Sequence, residues 1–223
     1  HDGAHGREWR VTDPRIAVTG NGVNIADNST GVSVADGTDF GRPGAAMLTH
    51  TFSIYNTGTG TLRLTGSPAV TISGDGGFTI NVQPADAALS AAAGTYFTVR
   101  FDPAHHTPGK YTAVVSIVNN DADAGRSDYT FNVTAVINAL PVGKGDTRTT
   151  LEDEPVDGVV TGTDADNDPL TFSKASDPVS GTVEVRTDGT YTYTPNAGYN
   201  GSDHFTIAIS DGQGGDITAA VLI

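Results

Sequence analysis

Short runs of β-branched and aromatic residues recur along the whole chain, each bounded by Gly, Asn, Asp or Pro, and this rhythm leaves little room for anything but β-sheet. In the first 139 residues the runs fall at 15–18, 48–55, 61–64, 78–82, 96–101, 111–118 and 129–137, about seven strands. Only 85–93 favours helix, and Pro84 and Gly94 confine it to about two turns, a connector over one sandwich edge.

The pattern breaks at Asn138-Ala139-Leu140-Pro141, because proline cannot join a central ladder and restricts the residue before it. A second series follows at 147–150, 156–161, 170–173, 182–185, 190–194, 204–209 and 216–222, with Asp188-Gly189 as a hairpin turn between two of its runs. The expected organisation is a leader over 1–12, a first β-sandwich over 13–139 and a second over 140–223. At 223 residues each sandwich buries a core without staples. Cysteine is absent, which excludes thiolate zinc sites and thiol catalysis.

Within the second series, Asp164-Ala165-Asp166-Asn167-Asp168-Pro169-Leu170 sets three carboxylates on alternate residues. Hard cations such as Ca2+ need several oxygen ligands at once, and a turn of this composition aims them at one point. The alternative is an ordinary acidic turn, since Asp, Asn and Pro all form turns well. An EF-hand beginning at Asp164 would need Gly and Glu where Pro169 and Ala175 stand, and Gly214-Gly215-Asp216 occurs once, without the nonapeptide repeats of a calcium-bound β-helix. A bound cation would therefore sit between sandwich loops.

Charge points the same way. The net charge is −14, which argues against nucleic acid as a partner. Residues 1–139 carry 12 acidic and 8 basic side chains, residues 140–223 carry 14 and 4, so the shorter part is much the more acidic. Such crowding costs self-repulsion unless salt screens it or cations bind, although an acidic surface also serves solubility alone. No apolar run approaches the roughly 20 residues of a membrane-spanning helix, and export would depend on a signal outside these residues.

Residues 138–223 resemble the cadherin-like Ig domains repeated in large bacterial surface adhesins of the RTX type. The resemblance rests on Asn138-Ala139-Leu140-Pro141, Glu152-Asp153-Glu154-Pro155, Thr163-Asp164 through Leu170, Asp188-Gly189 through Pro195, Gly198-Tyr199-Asn200-Gly201 and Ser210-Asp211-Gly212-Gln213-Gly214-Gly215. The first part resembles the choice-of-anchor D type of Ig-like domain through Asp36-Gly37-Thr38-Asp39-Phe40-Gly41, Phe52 through Gly58, Phe101-Asp102-Pro103 and Ser116 through Asp121. Such domains come in strings on secreted or surface-attached bacterial proteins, and in cadherin-like arrays calcium stiffens the junctions. Ig-like topology then gathers the loops 162–169 and 211–215 and the linker at one pole, so that Asp164, Asp166, Asp168 and Asp211 with an oxygen from Asn138 form the expected calcium site. Glu152 and Asp153 fall at the opposite pole and could supply half of a second site, with Asp102 of the first domain as a counterpart. For these three an ordinary turn carboxylate is the competing reading.

Catalytic motifs are missing. The histidines at 1, 5, 50, 105, 106 and 204 carry no HExxH, GxSxG or phosphate loop with them, so no enzyme is expected. Lys110, Lys144 and Lys174 are the candidates for an intramolecular Lys–Asn or Lys–Asp cross-link, but that chemistry needs a buried lysine. Thr190, Thr192 and Thr194 read as the solvated side of a strand whose Tyr191 and Tyr193 face the core. The favoured reading is a monomeric, non-catalytic spacer of a secreted bacterial adhesin whose partners are neighbouring repeats of the same polypeptide. The alternatives are a module binding carbohydrate or a cell-surface protein through loops in 20–43, and an accessory domain of a secreted enzyme.

Overall fold

The computed structural model describes residues 12–123 and 125–223, so that most of the 1–12 leader, with His1 and His5, lies outside the described residues. Nineteen strands and no helix occur among these residues, and the chain divides between Ile137 and Asn138 into two compact units. Each unit has its own buried apolar cluster.

In the first unit the strands are β1 (Ile16–Gly20), β2 (Val23–Ile25), β3 (Leu48–Asn56), β4 (Leu62–Arg63), β5 (Val70–Gly74), β6 (Phe78–Val82), β7 (Ala88–Leu89), β8 (Gly94–Phe101), β9 (Gly109–Val118) and β10 (Asp128–Ile137). They form a five-stranded sheet in the order β2-β1-β3-β8-β6, a three-stranded sheet β10-β9-β5 and the short pair β4-β7. Alternation decides which side chains go inward. Phe52 and Ile54 of β3, Phe97, Val99 and Phe101 of β8, and Phe131 and Val133 of β10 are buried, and Phe52 meets Phe131 at a ring separation of 5.4 Å.

The second unit comprises β11 (Val142–Lys144), β12 (Asp146–Thr147), β13 (Val156–Val159), β14 (Thr161–Thr163), β15 (Thr171–Lys174), β16 (Gly181–Val185), β17 (Thr190–Pro195), β18 (His204–Ser210) and β19 (Asp216–Leu222). Its sheets run β12-β19-β18-β15 and β13-β17-β16, beside the pair β11-β14. Tyr191 and Tyr193 are fully buried against Phe205 of the facing sheet, while Thr190, Thr192 and Thr194 keep some exposure. The hairpin at Asp188-Gly189 forms as the sequence predicts. Gly189 N–H donates to the Arg186 carbonyl at 3.0 Å, and Gly189 has φ of 89° with Val160 O where a Cβ would stand.

Three expectations need correction. The 85–93 stretch holds no helix: Leu89 is buried and pairs with Leu62, Ala92 adopts φ of 62°, and Asn56 Nδ2 donates to Leu89 O at 2.9 Å. With one large apolar side chain a two-turn helix has no face to bury, so tertiary pairing overrides alanine's propensity. The run 156–161 is two strands, broken where Val160 turns into the core, and in 147–150 only Thr147 is strand. Finally, much of 20–43 is edge cover and not free loop. Ser29 and Asp39 make parallel bridges to β10, Phe40 N–H donates to Thr134 O at 2.7 Å, and Val136 N–H donates to Gly41 O at 2.9 Å. The segment thereby satisfies a sheet edge that would otherwise be open.

Candidate metal centre

The turn after β14 is organised by Asp164. Its Oδ1 accepts the backbone N–H of Asp166 at 2.8 Å and of Asp168 at 3.3 Å, and Asn167 N–H closes the turn on Asp164 O at 3.3 Å. Asn167 takes φ of 62°, a left-handed conformation that asparagine tolerates better than most residues. This turn brings one carboxylate oxygen from each of Asp164, Asp166 and Asp168 within 4.8 Å of one another, all three side chains half-buried. Asp164 Oδ2 is shut from solvent and has no hydrogen-bond partner. Three like charges this close repel one another, and a buried acceptor without a donor is costly; a hard cation answers both.

The 138–139 segment closes on this turn and links it to the Asp211 loop. Ala139 N–H donates to Asp166 Oδ2 at 2.8 Å, and Asn138 Nδ2 donates to Asp211 Oδ2 at 2.7 Å. Asp211, only 2% exposed, holds its own loop shut by accepting Gln213 N–H at 2.7 Å and Gly215 N–H at 2.9 Å on Oδ1. Asp211 is thus engaged with protein donors on both oxygens. Glu152 and Asp153 are not among the three clustered carboxylates, and Asp102 belongs to the first unit. Asp102 caps its own turn through Ala104 N–H at 2.9 Å, Asp153 accepts Gly198 N–H at 2.8 Å, and Glu152 borders a cavity of about 130 Å³ with Tyr199 and Asn200. Lys110, Lys144 and Lys174 are all exposed, which removes the burial an intramolecular cross-link needs.

Two carboxylates that the sequence does not single out anchor the tyrosine strand. Asp146 accepts Tyr191 Oη at 3.0 Å, Arg148 Nε at 2.8 Å and Val159 N–H at 3.1 Å. Asp203 accepts Tyr193 Oη at 2.9 Å together with the N–H groups of Val179, Ser180 and His204. Alternation of Tyr with Thr signals buried rings, and buried phenols require acceptors, but nothing local names the acceptor.

These bonds fix the response to pH. Burial works to raise Asp146, Asp203 and Asp211, but the donated hydrogen bonds outweigh it and hold all three below the usual carboxylate range. Burial, reinforced by Asp146 and Asp203 respectively, pushes Tyr191 and Tyr193 up to about 12. A depressed carboxylate stabilises the fold above its unfolded value of about 3.9, and that contribution is lost as pH falls through the folded value. A raised tyrosine stabilises below about 10, and that contribution is lost as pH rises through its folded value. The urea midpoint of the second unit is therefore expected to stay level between about pH 5 and 10 and to fall on both sides. A midpoint unchanged down to about pH 3 would contradict these assignments.

Residues 138–223 match a family model described as a bacterial Ig domain. No curated protein matches the chain. Among solved structures, the protocadherin gammaB7 EC3-6 cis-dimer structure is 14% identical over 95% of this chain and 49% of that one, with a TM-score of 0.38. The Ig1-2 module of the Drosophila receptor protein tyrosine phosphatase DLAR is 10% identical over 94% of this chain and 97% of that one, with a TM-score of 0.27. The Vibrio cholerae VesB protease is 13% identical with a TM-score of 0.36, matching 44% of this chain, which spans 29% of that one. The fold is all-β, with Ig-like sandwiches, and no helix of the described residues is long and apolar enough to cross a membrane.

Proposed function

We propose that the chain is a non-catalytic extender segment of a secreted bacterial surface protein, in which Ca2+ held by Asp164, Asp166 and Asp168 fixes the start of the second sandwich. The observation that carries this reading is the buried, partnerless Asp164 Oδ2 inside a cluster of three carboxylates. Ca2+ accepts six to eight oxygen ligands in flexible geometry, so a turn with crowded carboxylates suits it better than Mg2+, which demands near-ideal octahedral placement. When bound, the ion supplies positive charge among the acidic loops and no redox or acid–base chemistry. Asp166 also accepts Ala139 N–H, and Asp211 accepts the Asn138 amide, so whatever steadies these loops steadies the residues just after Ile137.

The mechanical consequence is testable. Small-angle scattering of the chain should give a narrower distribution of interatomic distances in calcium than in chelator, because a fixed 138–139 segment limits hinging at the junction. Asp211→Ala should broaden the distribution even in calcium. A distribution indifferent to calcium would remove the mechanical role.

A further inference from the structure

The five-stranded sheet of the first unit contains no aspartate or glutamate in any of its strands, in a chain with 26 acidic residues. Because Phe52, Ile54, Phe97, Val99 and Phe101 point into the core, the alternate residues of β3 and β8 form its outer face. Register sets Tyr55 opposite Gly94, Ser53 opposite Tyr96, Thr51 opposite Thr98 and Thr49 opposite Arg100, with Thr19 of β1 beside Ser53. Tyr55 and Tyr96 are 43% and 53% exposed. A Cβ on Gly94 would lie 2.7 Å from Tyr55 Cδ1, so the ring lies across the glycine, and the two tyrosines border a shallow depression of about 290 Å³.

A second observation concerns β8 alone. Three buried side-chain polar atoms among the described residues lack a hydrogen-bond partner, and two of them, Thr98 Oγ1 and Arg100 Nε, are two residues apart on this face. Arg100 makes no ion pair with the described residues. A guanidinium N–H without an acceptor is unfavourable, and the fork of an arginine matches the two oxygens of a carboxylate or sulfate.

We propose that this face binds an acidic polysaccharide, with sugar rings laid on Tyr55 and Tyr96, hydroxyls met by the surrounding Ser and Thr, and a carboxylate or sulfate taken by Arg100. Tyr96 and Arg100 are four residues apart on one strand, about 13 Å, so one extended glycan reaches both. A bound carboxylate or sulfate would give Arg100 Nε the acceptor it lacks, in a charge-assisted pair. A neutral glycan would leave the cation unanswered, whereas single-stranded nucleic acid needs more cations than one. The site lies wholly in the first unit and is independent of the calcium reading.

The test is affinity electrophoresis of the chain in gels containing polygalacturonate, dextran sulfate or uncharged dextran. Chelator is present throughout, so that calcium cannot bridge the protein to the polymer. Retardation is expected in one or both acidic gels, the pair reporting whether carboxylate or sulfate is preferred, and none in dextran. Tyr96→Ala and Arg100→Gln should each weaken binding about tenfold or more, Arg100→Lys less, with melting midpoints of the variants unchanged. Lys110→Gln, which removes an exposed cation elsewhere, should have no effect. Equal retardation in dextran, no retardation in either acidic gel, or equal losses for Lys110→Gln and Arg100→Gln would overturn the proposal.

Discussion

Asp203→Ala lowers the stability of the second unit by about 3 kcal/mol, on the order of 2 M in urea midpoint for a domain of this size. Asp203 is 4% exposed and collects four donors: Val179 N–H at 3.0 Å, Ser180 N–H at 2.8 Å, His204 N–H at 2.8 Å and Tyr193 Oη at 2.9 Å. Alanine removes the acceptor shared by all four at once and leaves Tyr193 Oη only the longer contact to Ser180 O at 3.4 Å, and a donor that loses its acceptor costs more than the bond itself contributes. The same residue's backbone exchanges bonds with Ile223, so one position joins the 179–180 turn, the tyrosine strand and the end of β19. Tyr193→Phe removes a single donor and should cost only about 1 kcal/mol, since the carboxylate keeps three others. If the two variants lost equal stability in denaturant titrations, Asp203 would be no more than a partner for the tyrosine.

Much of the architecture is legible because alternation is local. Thr190-Tyr191-Thr192-Tyr193-Thr194 announces which side is buried, and both tyrosines are fully enclosed. What alternation cannot express is partnership at long range. Asp146 stands 45 positions before Tyr191, and in the sequence it is one acidic residue among many. Short pieces such as β11, with its central Gly143, and β7, inside an alanine-rich run, acquire strand structure from pairing with β14 and β4, and no local pattern announces them. By contrast Val70-Thr71-Ile72 of β5 is β-branched, a local strand signal outside the seven runs expected of the first part.

The candidate sites divide along the same line. The Asp164 turn is written in consecutive residues, because an Asx turn and a left-handed asparagine are local devices. The linkage of Asn138 to Asp211 and of Ala139 to Asp166 depends on where the loop ends of a sandwich meet, which only topology supplies. The acid-free face of the first unit is still less visible. Tyr55 and Arg100 lie 45 positions apart, and the register between β3 and β8 is what lays Tyr55, Tyr96 and Arg100 along one surface.

The central claim is that the Asp164 cluster holds calcium, and thermal unfolding of the chain in calcium and in chelator tests it most directly. A ligand at 100 times its dissociation constant stabilises the folded state by about 2.7 kcal/mol, which moves the midpoint of a domain of this size by roughly 10–20 °C. The transition of the second unit should rise by that amount, while that of the first unit stays fixed and serves as internal reference. Asp164→Asn retains an oxygen for the N–H groups of Asp166 and Asp168 but removes the charge, so it should abolish most of the shift without unfolding the loop. Superimposable curves in calcium and chelator would contradict the account and leave the three aspartates as an acidic turn.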